Sequence, residues 1–311
     1  VSFPSGTLTV GSLDIGHGLG GDTASTAIGT DALDASLSGS VRNTAIGQSA
    51  LTALNHANAD YNVAVGSYAG KNITSGHSNT GVGDNCLTTD DGIKNVAVGQ
   101  AALGSNSGDD NTALGYNALL SFTGSNAVAV GSGAADSLTT GGFNTAVGKD
   151  ALGATDDGEK NIAAGYQALN ANCGDSNVSI GFEALEVFTG SNAVAIGASA
   201  ADVATTASNL TAVGKDALGA CTDGDHNTAV GTGALALITT GDENVAVGKG
   251  AGYSMTGSRS VMLGKDAAYY ATSASDTIAI GAIAFRGDGS TAPTGDKNIA
   301  IGSYSLDATT T

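Results

Sequence analysis

A short apolar stretch ending in glycine recurs seventeen times, from Gly29, Gly47 and Gly66 through to Gly281 and Gly302. This period constrains the fold more than any other feature of the chain. Fourteen of the sixteen intervals are 16, 17 or 18 residues; 19 residues separate Gly47 from Gly66 and 21 separate Gly281 from Gly302. The unit reads N-T-A-V-G-x-x-A-L followed by six to eight polar or glycine-rich residues, as in Asn111–Leu119. A longer period lies on top. Thr145–Ala154 is identical to Thr211–Ala220 and Phe122–Ala129 to Phe188–Ala195, both offset by 66 residues, or four units. Duplication of four-unit blocks accounts for this.

A helical reading of the A-L stretch leaves roughly five residues per unit, well below the ~12 that an isolated helix needs. Two short apolar stretches per unit fit two strands and two turns of one coil. Coils stacked ~4.8 Å apart let each strand pair with its equivalent in the next. The expected fold is therefore all-β, a tandem-repeat parallel β-solenoid (β-roll) of about seventeen coils of 16–17 residues, with almost no α-helix. The 48 glycines do not argue for disorder, because 41% of the 311 residues are apolar and recur in register. Residues 1–24 lack the pattern and read as an N-terminal cap or joining segment. Residues 25–306 read as the repeat solenoid, and 307–311 as the end of the last coil or of a fragment.

In T-A-V-G the side chains alternate between two faces. The β-branched set, such as Val63 and Val65 or Val245 and Val247, is the type expected to pack inside its own coil with the following Leu. Ala64, Gly66, Ala246 and Gly248 then fall on the opposite face and become candidates for a subunit interface. A strip of Ala/Gly pairs left in water is an exposed apolar surface, and small residues let neighbouring backbones approach around a threefold axis. A homotrimer is the expected assembly. Asn43, Asn62, Asn79, Asn95, Asn111, Asn144, Asn161, Asn177, Asn227, Asn244 and Asn298 all stand four residues before an anchor glycine. Asn tolerates left-handed backbone and bonds its own turn, so these residues are read as a structural turn ladder, with amides stacked from coil to coil.

Asn192–Gly197 (NAVAIG) and Asn126–Gly131 (NAVAVG) resemble the N-S-V-A-I-G head repeats of trimeric autotransporter adhesins. That resemblance implies a left-handed parallel β-roll with three chains around one axis. The commoner form here, N-T-A-V-G-x-x-A-L, is similar to repeats of viral and phage tail-fibre proteins. The resemblance covers residues 25–306, in units longer than the usual adhesin repeat. It implies a structural fibre of a virus, a phage-like tail or head fibre acting as a rigid shaft with host-receptor binding. A bacterial cell-surface trimeric adhesin passenger is the first alternative, and a glycan-cleaving tailspike enzyme the second. The implied location is the virion surface, or the bacterial cell surface for the first alternative. Implied partners are further copies of the chain, other virion or fibre proteins at the ends, and a host surface glycan or protein receptor.

Charge narrows the field. The 29 acidic against 11 basic residues give a net charge of −18, which disfavours nucleic acid and anionic membrane surfaces. No apolar run approaches the ~18 residues of a membrane span, so no membrane insertion is expected. The chain opens at Val1 without a signal-like segment, which leaves processing or a fragment open. Cys86, Cys173 and Cys221 make no disulfide framework. His17, His56, His77 and His226 share no register and form no ligand spacing with them, and no nucleophile, phosphate-loop or zinc motif occurs. Catalysis and cofactors are not expected. Acidic pairs such as Asp90-Asp91, Asp109-Asp110 and Asp156-Asp157 recur in the polar segment of the unit. They read as turns, with calcium as the one ligand they leave open. Tyr68, Tyr116, Tyr166 and Tyr253 read as outward decorations available to a receptor.

Overall fold

The computed structural model describes residues 8–10, 13–16, 24–35, 40–89, 91–288 and 293–307. Among these there is no helix. The chain divides into two compact units, residues 1–159 and 160–311, and each is a parallel β-solenoid.

In the first unit β1 (Leu8–Val10) and β2 (Leu13–Gly16) form an antiparallel hairpin, and β2 pairs antiparallel with β3 (Thr26–Ile28). From β3 to β10 (Thr145–Val147) the eight three-residue strands pair in parallel without slippage, Ala27 against Ala45, Ala45 against Ala64, and so on to Ala146. In the second unit nine strands, β11 (Ile162–Ala164) to β19 (Ile299–Ile301), repeat the arrangement. Residues 308–311 lie outside the described residues.

Each coil has one strand, not two. The stretch after the anchor glycine is a run of turns, with left-handed backbone two and four residues past the glycine: Ser49 (φ 54°) and Leu51 (φ 50°), Asn117 (φ 56°) and Leu119 (φ 52°). Such residues break the pleat that a strand requires. A third left-handed residue precedes the Asn position, as at Lys94 (φ 59°) and Asp110 (φ 59°). Left-handed backbone is costly for β-branched side chains. The fourth residue past the anchor is accordingly Leu, Ala, Gly or Phe in every unit, and never Val or Ile. Backbone hydrogen bonds still tie the coils together here. Ser49 N–H donates to Thr30 O (2.8 Å) in the preceding coil and Leu51 N–H to Ala69 O (3.0 Å) in the following one.

The strand faces are the reverse of the expected ones. The central Ala points inward and its β-branched neighbours point out: Ala64 is 1% exposed and Ala246 0%, whereas Val245 is 36% and Val247 41% exposed. The interior is narrow, and Gly81, which stands at an Ala position, shows how narrow. A Cβ there would lie 3.0 Å from Cys86 Sγ and 3.0 Å from Leu87 Cδ1. A methyl group is what fits between the strand and the wall three and four residues past the anchor. Where one side is trimmed the other grows. Cys86 replaces Ala opposite Gly81, and Met262 replaces Ala where Gly252 replaces Leu; a Cβ on Gly252 would lie 2.9 Å from Met262 Cε. These swaps conserve volume, which a close-packed core requires.

Ala64 and Ala246 are therefore taken up by their own coils and are not available to another subunit. Gly66 and Gly248 are engaged by the next coil of the same chain. A Cβ on Gly66 would sit 2.2 Å from Gly83 O, and one on Gly248 2.5 Å from Gly264 O. The anchor glycines that make this contact have φ values from +128° to +144°, so no L side chain fits at an anchor inside a stack. Gly115→Ala should lower stability by about 3 kcal/mol or more. Gly219→Ala, where the nearest atom to a Cβ is Asp216 O at 3.3 Å, should cost much less. Chemical denaturation of the two variants side by side checks this; equal midpoints would contradict the steric account.

Candidate interaction surface

Two polar columns hold the turns that carry the strands. The first is the Asn column. Asn43, Asn62, Asn79, Asn95, Asn111, Asn144, Asn161, Asn177, Asn227 and Asn244 are buried, and Asn298 is half-buried. Each amide oxygen of the well-bonded members accepts the backbone N–H of the equivalent residue one coil on: Asn62 N–H to Asn43 Oδ1 (2.8 Å), Asn95 N–H to Asn79 Oδ1 (2.8 Å), Asn177 N–H to Asn161 Oδ1 (2.8 Å). The amide nitrogen donates to a turn carbonyl of the next coil, as Asn79 Nδ2 to Gly92 O (2.7 Å) and Asn144 Nδ2 to Gly158 O (2.7 Å). Asn298 Nδ2 bonds Gly295 O within its own turn. The ladder thus runs mainly from side chain to backbone. Amide-to-amide contact is seen at Asn244 Nδ2 to Asn227 Oδ1 (3.1 Å). Buried amides need such partners, and these stay structural.

The second column explains the acidic turns. Asp or Ser six residues before the anchor accepts the backbone N–H of its counterpart in the preceding coil. Examples are Asp60 to Val41 N–H (2.7 Å), Asp109 to Ile93 N–H (2.9 Å), Ser125 to Asp109 N–H (2.9 Å) and Asp242 to Asp225 N–H (2.9 Å). Asp91 makes a denser clamp on Thr74 N–H (2.7 Å), Thr74 Oγ1 and Ser75 N–H (2.9 Å). Burial pushes the Asp91 carboxyl up. The N–H groups of Ser75, Thr74 and Gly76 and the Thr74 hydroxyl outweigh it and hold the pKa below the ordinary value. Among the described residues no group of three or more His, Cys, Asp or Glu is placed to hold a metal ion. Cys86, Cys173 and Cys221 are buried free thiols, and burial is the first cause that raises Cys86 to about 12 and Cys221 to about 11.

The outward side of the strands is open to other molecules. Within each unit it presents two columns, three residues and one residue before each anchor. Across the seventeen strands these 34 positions hold Val, Ile, Leu, one Ala and seven Thr, with no charged or amide side chain. Leu114 is 46% exposed and Ile180 40% exposed. An uncharged, regularly spaced aliphatic face on a chain of net charge −18 is the surface most in need of cover. Alternation along T-A-V-G points to two faces, but the β-branched preference assigned the wrong one to the interior. The usable signal was variability of size. The inner position is nearly always Ala, whereas the outer ones exchange Thr, Val, Ile and Leu freely. Of the tyrosines, Tyr116 and Tyr166 are exposed, and Tyr68 and Tyr253 half-buried.

No helix among the described residues is long and apolar enough to cross a membrane. No protein-family model, curated protein or solved structure matches the chain.

Two expectations follow from these columns. Because the folded Asp91 pKa lies below its unfolded value, its contribution is fully present above the unfolded value, about 4, and is lost as pH falls through the folded one. Thermal melting of the native chain and of Asp91→Asn should show a gap that is constant near neutrality and closes as the medium is acidified below about pH 4. A gap that widens on acidification would contradict the clamp. For the strand, Val128→Thr should change stability by less than about 0.5 kcal/mol, because Thr112 and Thr145 occupy the same register. Ala129→Val should cost about 1–3 kcal/mol through overpacking. Urea unfolding distinguishes the two.

Proposed function

We propose that the chain is a structural fibre protein of a virus, a phage-like tail or head fibre, whose copies associate as a homotrimer through their outward strand faces. The observation that carries the reading is that uncharged β-branched face. Three such faces turned toward a common axis would remove the aliphatic columns from water while the acidic turns stayed outside. Like charge would then be kept apart rather than buried. The repeat resembles those of viral fibres and adhesin heads, in which chains pack side by side. The reading is mechanical and non-enzymatic: within each unit the coils are held to one another by backbone and side-chain ladders, which suits a stiff shaft. It places the chain at the virion surface, with other fibre proteins at its ends and a host surface molecule as receptor.

Light scattering on the native chain should return three times 29.9 kDa, about 90 kDa. Val128→Glu and Val245→Glu should shift the mass toward a single chain while leaving the β-type circular dichroism intact. A native mass of one chain, unchanged by these substitutions, would overturn the assembly. Antibodies to the chain should decorate appendages of virus particles; labelling of a bacterial envelope instead would favour a cell-surface adhesin.

A further inference from the structure

The second unit carries a groove that the repeat alone does not generate. It has a volume of about 420 Å³ and lies among the turns rather than on the strands, within the ~300–1,000 Å³ range of ligand sites. Its long wall is the column five residues past the anchors, which reads Asp202, Gly219, Ala236, Tyr253, Tyr269 in successive coils. Two coils without a reaching side chain therefore separate a carboxylate from an aromatic ring. At ~4.8 Å per coil the Asp202 and Tyr253 backbones stand ~14 Å apart. The floor continues at Gly233 and Gly250, two residues past their anchors, flanked by Asp216 and Asp266.

The rings are fixed. Tyr253 and Tyr269 stack with centroids 4.7 Å apart and planes 4° from parallel, and Tyr270 meets Tyr269 edge-on at 4.7 Å. The Tyr253 ring reaches back over the preceding coil, where a Cβ on Gly233 would be 3.4 Å from its Cδ2. The polar groups are held too: Lys215 Nζ lies 2.8 Å from Asp216 and Lys265 Nζ 3.6 Å from Asp266, while Lys249 lines the groove directly.

The internal duplication supplies a control. Asp136, Asp150 and Gly153 repeat Asp202, Asp216 and Gly219 at an offset of 66 residues. The following units, however, hold Gln167 and Asn170, then Glu183 and Glu186, at the registers of Gly233 and Ala236, then Gly250 and Tyr253. Asp202 and Asp216 belong to the repeat; Asp266, which stands where Ser199 does four units earlier, the glycine floor and the aromatic wall belong to this copy.

We infer that the groove binds an uncharged pyranose sugar. A tyrosine face takes the C–H face of a saturated ring, since its π cloud is negative and the C–H edge positive. Carboxylates accept from the sugar hydroxyls, and Lys249 and the Thr232 hydroxyl donate to its oxygens. Three carboxylates against one lining lysine exclude an anionic sugar or a nucleotide. The site uses turn residues, so it is independent of assembly through the strands.

Saturation-transfer NMR on the native chain with a panel of neutral methyl glycopyranosides and their disaccharides tests this. Transfer to at least one glycoside is expected, with affinity reduced roughly tenfold in Tyr253→Ala and abolished in Gly233→Gln. The second variant introduces the residue of the duplicate, where Gln167 adopts the same left-handed backbone (φ 50°, against 65° at Gly233), so the coil should persist by circular dichroism. Absence of transfer to every glycoside overturns the proposal. So does binding that survives both substitutions, or binding of tetramethylammonium without any glycoside. Light scattering on the same samples reports assembly separately, so failure here is distinguishable from failure of the fibre reading.

Discussion

The structure depends on one close contact, repeated from coil to coil within each unit. The α-carbon of an anchor glycine followed by another coil of its unit approaches the carbonyl oxygen of the next anchor so nearly that a Cβ would stand 2.2–2.7 Å from it. Hydrogen-bonded coils can stack at strand spacing here only if this column carries no side chain. The same glycines take φ values open to no other residue at low cost, and so turn the chain from strand to turns at the same point of every unit. Substituting one of them disturbs both the bend within a coil and the seat for its neighbour.

The tight bend makes the interior thin, and thinness decides which residues lie inside. A wide sheet sandwich would bury the β-branched side chains and leave the alanines for a partner, as the sequence pattern alone predicts. Here Leu and the residue three past the anchor stand across from the strand at a distance that admits one methyl. Parallel pairing, the period, the absence of helix and the shared register of the Asn residues were legible because each follows from spacing. The inward face was not, because alternation specifies two faces without a width. The second stretch of each coil was misread as a strand for a related reason. Its apolar residues are buried, but the exclusion of Val and Ile four residues past the anchor marks left-handed backbone, not pleat.

Polar groups complete what the thin core cannot. Hydrophobic burial per coil is modest, a few alanines and one or two larger side chains, so unsatisfied turn amides would be a heavy cost. The Asn column satisfies them from inside and the Asp/Ser column from outside, each side chain reaching along the stack to a neighbour's backbone. The acidic character of the chain is in part a consequence of this use. A carboxylate is a strong acceptor for a backbone N–H, and at this register it is needed once in each of many coils. That supplies a structural reason for the charge.

The two outward surfaces then divide by register. Strand positions are bound to be short and apolar, because pairing in parallel register repeats the same side-chain types at strand spacing. They make a uniform strip suited to a uniform partner, another copy of the same chain. Turn positions two and five past the anchor are free to vary, since they contribute neither to the inner columns nor to the ladders. Gly233, Tyr253 and Tyr269 differ from Gln167, Glu186 and Asp202, their counterparts four units earlier, while the anchor glycines stay the same. A distinctive, concave site can therefore arise in one unit without disturbing the stack. That freedom is why, on the readings proposed above, assembly is assigned to the regular face and recognition to the irregular groove.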